Sequence, residues 1–214
     1  MKKTKIIAGV VILSLVLAGI GYAIWADELS IGTTVSTGIL EVEFVESHFP
    51  VEVYDAFSDL QVTRDKDTLT VICSNMYPGM YLTICSEMEN TGTIPALFDR
   101  VTVNFRGNEE LKNELFVSML NFALYDSNDG LLNESLAMYT DFPLSQLEDK
   151  LNELLSGVRL EPGEYLVMGG NPSNKTGKSV EPYLDLYVSD DAGSGIEDKT
   201  LEFDIIIQWK QFNK

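Results

Sequence analysis

Trp25-Ala-Asp-Glu-Leu-Ser-Ile-Gly-Thr-Thr-Val-Ser-Thr-Gly-Ile-Leu-Glu-Val-Glu-Phe44 is the stretch from which the fold is read. Trp25, Leu29, Ile31 and Val35 fall on odd positions, with polar or small residues on the even ones. This period of two is the pattern of a strand with one apolar face. After Thr37-Gly38 the phase reverses: Leu40, Val42 and Phe44 are even, and Glu41 and Glu43 lie between them. A straight strand cannot bury both sets on one side. Two strands are therefore expected, with Thr37 and Gly38 as the hinge, glycine being the residue that tolerates such a break. The first strand has no domain before it, so its apolar face needs a sheet edge, its own or a neighbour's.

What precedes this stretch explains why it has a free end. Met1-Lys-Lys-Thr-Lys5 is basic, and residues 6–23 are apolar, small or hydroxyl-bearing. Gly21-Tyr-Ala23 places small residues at −3 and −1 of a cut between Ala23 and Ile24. That order is the order of a secretory signal peptide. The run is also close to the length of a bilayer-spanning helix, so an uncleaved anchor is the alternative. The expected division is a leader over 1–23, a tail over 24–37 and a β domain over 38–214.

The residues following the cut resemble the mature start of the TasA/camelysin family, in which an aromatic residue and an Asp follow the leader and a small-Gly-x-Leu-acidic-apolar strand comes next. Tyr77-Pro-Gly79 with Met88-Glu-Asn-Thr-Gly92 is similar to the family's Pro-Gly turn and Asn-Thr-Gly. Leu201-Glu-Phe-Asp-Ile-Ile-Ile-Gln-Trp-Lys-Gln211 resembles its closing strand. The resemblance implies a jelly roll with helical insertions and export through a dedicated SipW-type signal peptidase. It further implies a secreted, fibre-forming or biofilm-matrix subunit that contacts the membrane only through its leader. Its partners would be copies of itself and an accessory matrix or anchor protein. In such a mechanism the tail leaves its own subunit, and Trp25, Leu29, Ile31 and Val35 fill an open edge of the next.

Composition narrows the partners. The chain has 15 basic and 33 acidic residues; removing Lys2, Lys3 and Lys5 with the leader leaves 12 against 33, a net of −21. Such a surface repels nucleic acid and anionic headgroups. Self-association should strengthen with salt, which screens the carboxylates. Cys73 and Cys85 are the two cysteines, and an even count in an exported chain favours a disulfide. A hairpin turning at Pro78-Gly79 would bring them together; two buried thiols that never meet is the other reading.

Short β-rich runs at 40–45, 60–62, 69–72, 80–84, 96–105, 122–125, 165–168, 184–188 and 201–212 alternate with Gly, Pro and Asn turns. Two segments switch to helical spacing. Leu111, Leu115 and Met119 follow Asn108 as N-cap, and Leu147, Leu151, Leu154 and Leu155 follow the capping-box pattern Ser145-Gln-Leu-Glu148, ending at Gly157. The expectation is a mainly β, antiparallel sandwich with one or two inserted amphipathic helices.

Catalytic chemistry finds little support. Camelysin-type relatives are labelled metallopeptidases, but this chain has one histidine, His48, and no His-Glu-x-x-His pair. No Gly-x-Ser-x-Gly elbow or phosphate-binding glycine loop occurs. Asp126, Asn128 and Asp129 before Gly130 look faintly like a calcium loop, although the glycine comes one position early for an EF-hand. No other cofactor is expected. The leading reading is a self-assembling structural subunit, and a camelysin-like surface metallopeptidase is the alternative.

Overall fold

The computed structural model describes residues 2–24, 37–45, 57–128, 130–133, 138–168 and 184–212. The chain divides into two compact units, Met1–Thr37 and Gly38–Lys214. The first holds helix α1 (Lys2–Ile24), whose Ile6, Val10, Leu13 and Leu17 side chains are exposed. Among the described residues, no helix is long and apolar enough to cross a membrane.

The second unit is mainly β. In chain order its strands and helices are β1 (Glu43–Val45), β2 (Asp59–Asp65), β3 (Thr68–Ser74), β4 (Tyr81–Ile84), β5 (Ser86–Glu89), β6 (Ala96–Gly107), α2 (Glu109–Glu114) and β7 (Leu115–Tyr125). There follow β8 (Leu131–Asn133), β9 (Met138–Tyr139), β10 (Phe142–Pro143), α3 (Leu147–Leu155), β11 (Arg159–Leu160), β12 (Tyr165–Met168), β13 (Leu184–Val188) and β14 (Thr200–Gln211). One sheet runs β1-β5-β12-β7-β13-β4, with β8, β9 and β10 also on β7; the other runs β11-β6-β14-β3-β2. The pairings are antiparallel throughout.

Two rows of the first sheet are single lines in two pieces. β4 and β5 are separated only by Cys85. Met168 of β12 lies opposite Phe122, and Leu184 of β13 opposite Leu120, so the ends of the 169–183 segment flank one row of the ladder.

Alternation places one face of each sheet in a shared core. Leu69, Val71 and Cys73 of β3 and Phe203, Ile205 and Ile207 of β14 join Val117 and Leu120 of β7 and Leu184 and Leu186 of β13 in one buried cluster. Burying each of the large aliphatic or aromatic side chains contributes about 1.5–3 kcal/mol. The opposite face of the second sheet is polar: Thr70 Oγ1 donates to Asp204 Oδ1 (2.7 Å), and Arg106 bridges Asp204 and Glu202.

The helical expectations need two corrections. The first helix ends at Glu114 and gives way to β7, so Leu115 and Met119 are strand residues. The register of β13 against β7 passes from Val117 to Met119 across Ser118. This bulge shifts the inward side chains from Leu115 and Val117 to Leu120 and Phe122 and leaves Met119 half-buried between them. Asn108 does cap α2, its Oδ1 accepting from Leu111 N at 2.7 Å. The second helix buries Leu147, Leu151, Leu154 and Leu155 as the stripe requires. Its capping box does not form, because a single 3-10 turn at Leu144–Gln146 leads into it and Gln146 makes no side-chain cap.

Glu148 has other work. Its Oε2 accepts from Val103 N (2.8 Å), while Asn152 accepts from Val101 N and donates to Val101 O, both at 2.9 Å. Beyond β11, then, the outer edge of β6 is occupied by side chains of α3 acting as a substitute strand, which protects that edge from foreign pairing.

The expected disulfide is absent. Cys73 and Cys85 are both buried and are not bonded to each other. The Tyr77-Pro-Gly turn, closed by Met80 N donating to Tyr77 O, does not make a hairpin within one sheet. It carries the chain from β3 in the second sheet to β4 in the first, with Gly79 at φ +79° supplying the left-handed position. Cys73 therefore faces the core while Cys85 stands outside the core cluster.

Candidate functional site

The tail residues Trp25, Leu29, Ile31 and Val35 lie outside the described residues, as do His48 and Asp129. Ala23 and Ile24 are the last two residues of α1. Thr37 and Gly38 are described, and the second unit begins at Gly38. A Cβ on Gly38 would sit 2.0 Å from Ile94 Cγ2, so at this position the missing side chain permits close approach to the 90–94 turn.

That turn is built around Asn90, which is wholly buried. Its Nδ2 donates to Ile94 O (3.0 Å) and Leu160 O (2.9 Å), and its Oδ1 accepts from Gly92 N (3.1 Å). Gly92 N also donates to Glu41 O, Thr93 N to Ile39 O, and Ile39 N to Thr93 Oγ1. The chain downstream of Gly38 is thus tied to the turn and then continues into β1. The Asn-Thr-Gly pattern marks a turn in the sequence, but nothing there signals that its asparagine ties the turn to Leu160 of β11.

Two strand edges stay open among the described residues. β2 is the last strand of its sheet, paired only to β3. Its inward residues Leu60 and Val62 are half-buried and pack on the core. The third inward residue, Arg64, reaches across to the other sheet, where Nη2 donates to Cys85 O (2.7 Å) and Nε to Ser86 Oγ (3.3 Å). The two sheets are clasped there by a charged hydrogen-bonding arm, and the backbone of β2 faces outward beside it.

The second opening is a groove of about 430 Å³. Residues 40–43 form one side and Ile207, Gln208 and Trp209 the other, with Lys66 and Asp67 at the turn between β2 and β3 and Asp99 on the rim. Because Ile39 and Glu41 turn their carbonyls to the 90–94 turn, alternation turns the backbone groups of Leu40 and Val42 to the groove. On the far side β3 ends at Thr68, opposite Ile206, so β14 from Gln208 onward pairs only with β6.

The oxygen-rich loop has its own explanation. Asp126 Oδ1 accepts from Asn128 N (2.8 Å) and Gly130 N (2.7 Å), and Asp126 N donates to Gly130 O. The Asp126 carboxylate closes the loop by bonding backbone amides, and Asn128 enters through its N–H. Among the described residues no group of three or more His, Cys, Asp or Glu side chains converges as a metal site.

Burial and partners shift several groups. Desolvation pushes the Cys73 thiol up to about 12. Burial also raises the Asp185 carboxyl, opposed by the hydrogen bond from Thr83. The Asp204 carboxyl is lowered, first by its hydrogen bond with Arg106.

Compared with known proteins, the chain matches no family model, no curated protein and no solved structure.

Proposed function

We propose that this chain is a secreted structural subunit that polymerises by strand donation. Its two sheets are read as a jelly-roll-like sandwich, with α1 as the export leader. The alternating tail at 25–36, freed by a cut after Ala23, leaves its own subunit at Thr37-Gly38 and adds to the β2 edge of the next copy. The observation that carries this reading is the β2 edge itself, a seven-residue strand with an unpartnered side among the described residues and half-buried Leu60 and Val62 beneath it. Trp25, Leu29, Ile31 and Val35 supply the apolar face such an edge accepts. Burying four such side chains contributes about 6–10 kcal/mol gross, before ordering costs. A head-to-tail contact of this kind grows a filament when its rotation does not close a ring.

Electron microscopy of the chain beginning at Ile24, beside a version beginning at Thr37, tests the proposal. The longer chain should form fibres and the shorter should stay monomeric and folded. Fibres of normal appearance from the shorter chain would rule the tail out as donor. Ile31→Asp should also block assembly, because it places an unpaired charge in the joint.

A further inference from the structure

The groove between residues 40–43 and β14 is separate from the β2 edge, and we infer that it docks an extended, lysine- or arginine-bearing segment of another protein, added as a strand between the two sheets. The backbone argues first. By alternation with Ile39 and Glu41, Leu40 and Val42 turn N–H and C=O groups to the groove, and β14 beyond Ile206 has no β3 neighbour, so among the described residues each wall is an edge open to a partner.

The turn at the end of the groove already makes the bonds such a segment would make. Phe44 N donates to Lys66 O (2.6 Å), and Ile207 N donates to Asp67 O (2.9 Å). Two consecutive carbonyls thus bond one wall each. A peptide entering past this turn continues the same alternation along Val42 and Leu40 on one side and Trp209 on the other. The volume of about 430 Å³ falls within the roughly 300–1,000 Å³ typical of ligand clefts.

Charge selects the occupant. Among the described residues, Glu41, Glu43, Asp67 and Asp99 line the groove against one lining cation, Lys66. Asp99 is held by Lys210 Nζ at 2.9 Å, and Thr91 Oγ1 donates to one oxygen of Glu43, so Glu41 and Asp67 remain as exposed carboxylates that no described residue pairs with a cation. Apolar Leu40, Val42, Ile207 and Trp209 lie between them, which suits alternating apolar and basic side chains. The chain's own tail at 25–36 carries Asp27 and Glu28 and no basic residue, so it is repelled here. This groove and strand donation at β2 stand or fall separately.

The test uses the purified chain and three fluorescein-labelled peptides: alternating valine and lysine, alternating valine and glutamate, and the chain's own residues 25–36. Anisotropy should show saturable binding of the valine–lysine peptide alone, weakening as salt is added. Reversing both exposed carboxylates, Glu41→Lys with Asp67→Lys, should weaken it by about tenfold or more. Val42→Pro removes one groove-facing N–H and none of the bonds made by Ile39 or Glu41, and should weaken binding with the circular dichroism unchanged. If the proline disturbs the fold, the charge reversal decides alone. Equal binding of the valine–glutamate peptide, binding of the 25–36 peptide at least as tight as that of valine–lysine, or unchanged affinity in the charge-reversed chain would each overturn the inference.

Discussion

Asn90 shows how much one side chain can hold. Its amide bonds a carbonyl and an N–H of its own turn, Ile94 O and Gly92 N, and the carbonyl of distant Leu160, at a site without solvent access. Asn90→Ala should lower unfolding free energy by about 2–4 kcal/mol in urea titration, since buried polar groups lose their partners. Cys73 gives a second residue-scale expectation. With its thiol pushed up to about 12, it stays protonated at neutral pH and should resist alkylation until the chain unfolds. Mass spectrometry of the native chain should find both cysteines reduced; a Cys73–Cys85 bridge would contradict the separation of the two sheets.

Two carboxyls work in opposite senses as pH falls. Asp204 has a folded pKa below its unfolded one, so the stability it contributes is present above the ordinary carboxylate range and is lost as pH drops through the folded value. Asp185 has a folded pKa above its unfolded one, so it weakens the fold near neutrality and that penalty lifts on acidification. Asp185→Asn should therefore raise the melting temperature at neutral pH and lose that advantage near about pH 3, where the native carboxyl is also neutral.

At the scale of elements, the pattern of the sequence is read correctly wherever one face is buried and the other wet. β3 alternates from end to end, β14 does so from Thr200 to Ile207, and both appear where period two places them. The α3 stripe is equally plain, because Leu147, Leu151, Leu154 and Leu155 all meet the core. What misleads is local departure from period. Leu111, Leu115 and Met119 scan like one helix although the chain passes from α2 to β7 between Glu114 and Leu115, and Glu148 resembles a cap while serving β6 from a distance. Long-range use of a polar side chain leaves no trace in spacing. The candidate edges were legible only in part: the alternating tail implies a partner edge, whereas nothing in the sequence of β2 or residues 40–43 says that their far sides are unpaired among the described residues. Removing the α3 side chains that cover β6, by Glu148→Ala with Asn152→Ala, should lower stability by about 2–3 kcal/mol and increase light scattering on storage. A double variant that stays clear and equally stable would show that the helix protects nothing.

For the whole molecule, charge and edge act against each other. In the proposed assembly a net of −21 after removal of the leader would hold copies apart, while the apolar tail and the β2 edge, unpartnered among the described residues, would draw them together. Sedimentation of the chain beginning at Ile24 should show little assembly at low ionic strength and progressively more as salt is added, since the Debye length shrinks to about 8 Å at physiological strength. The interrupted row between β12 and β13 has a practical consequence at this scale. Met168 ends β12 opposite Phe122 and Leu184 opens β13 opposite Leu120, so a segment spliced in between these two residues should leave both of those rungs in place. A fluorescent label or epitope inserted there would mark every copy, and, if the chain polymerises as proposed, growth could be watched subunit by subunit.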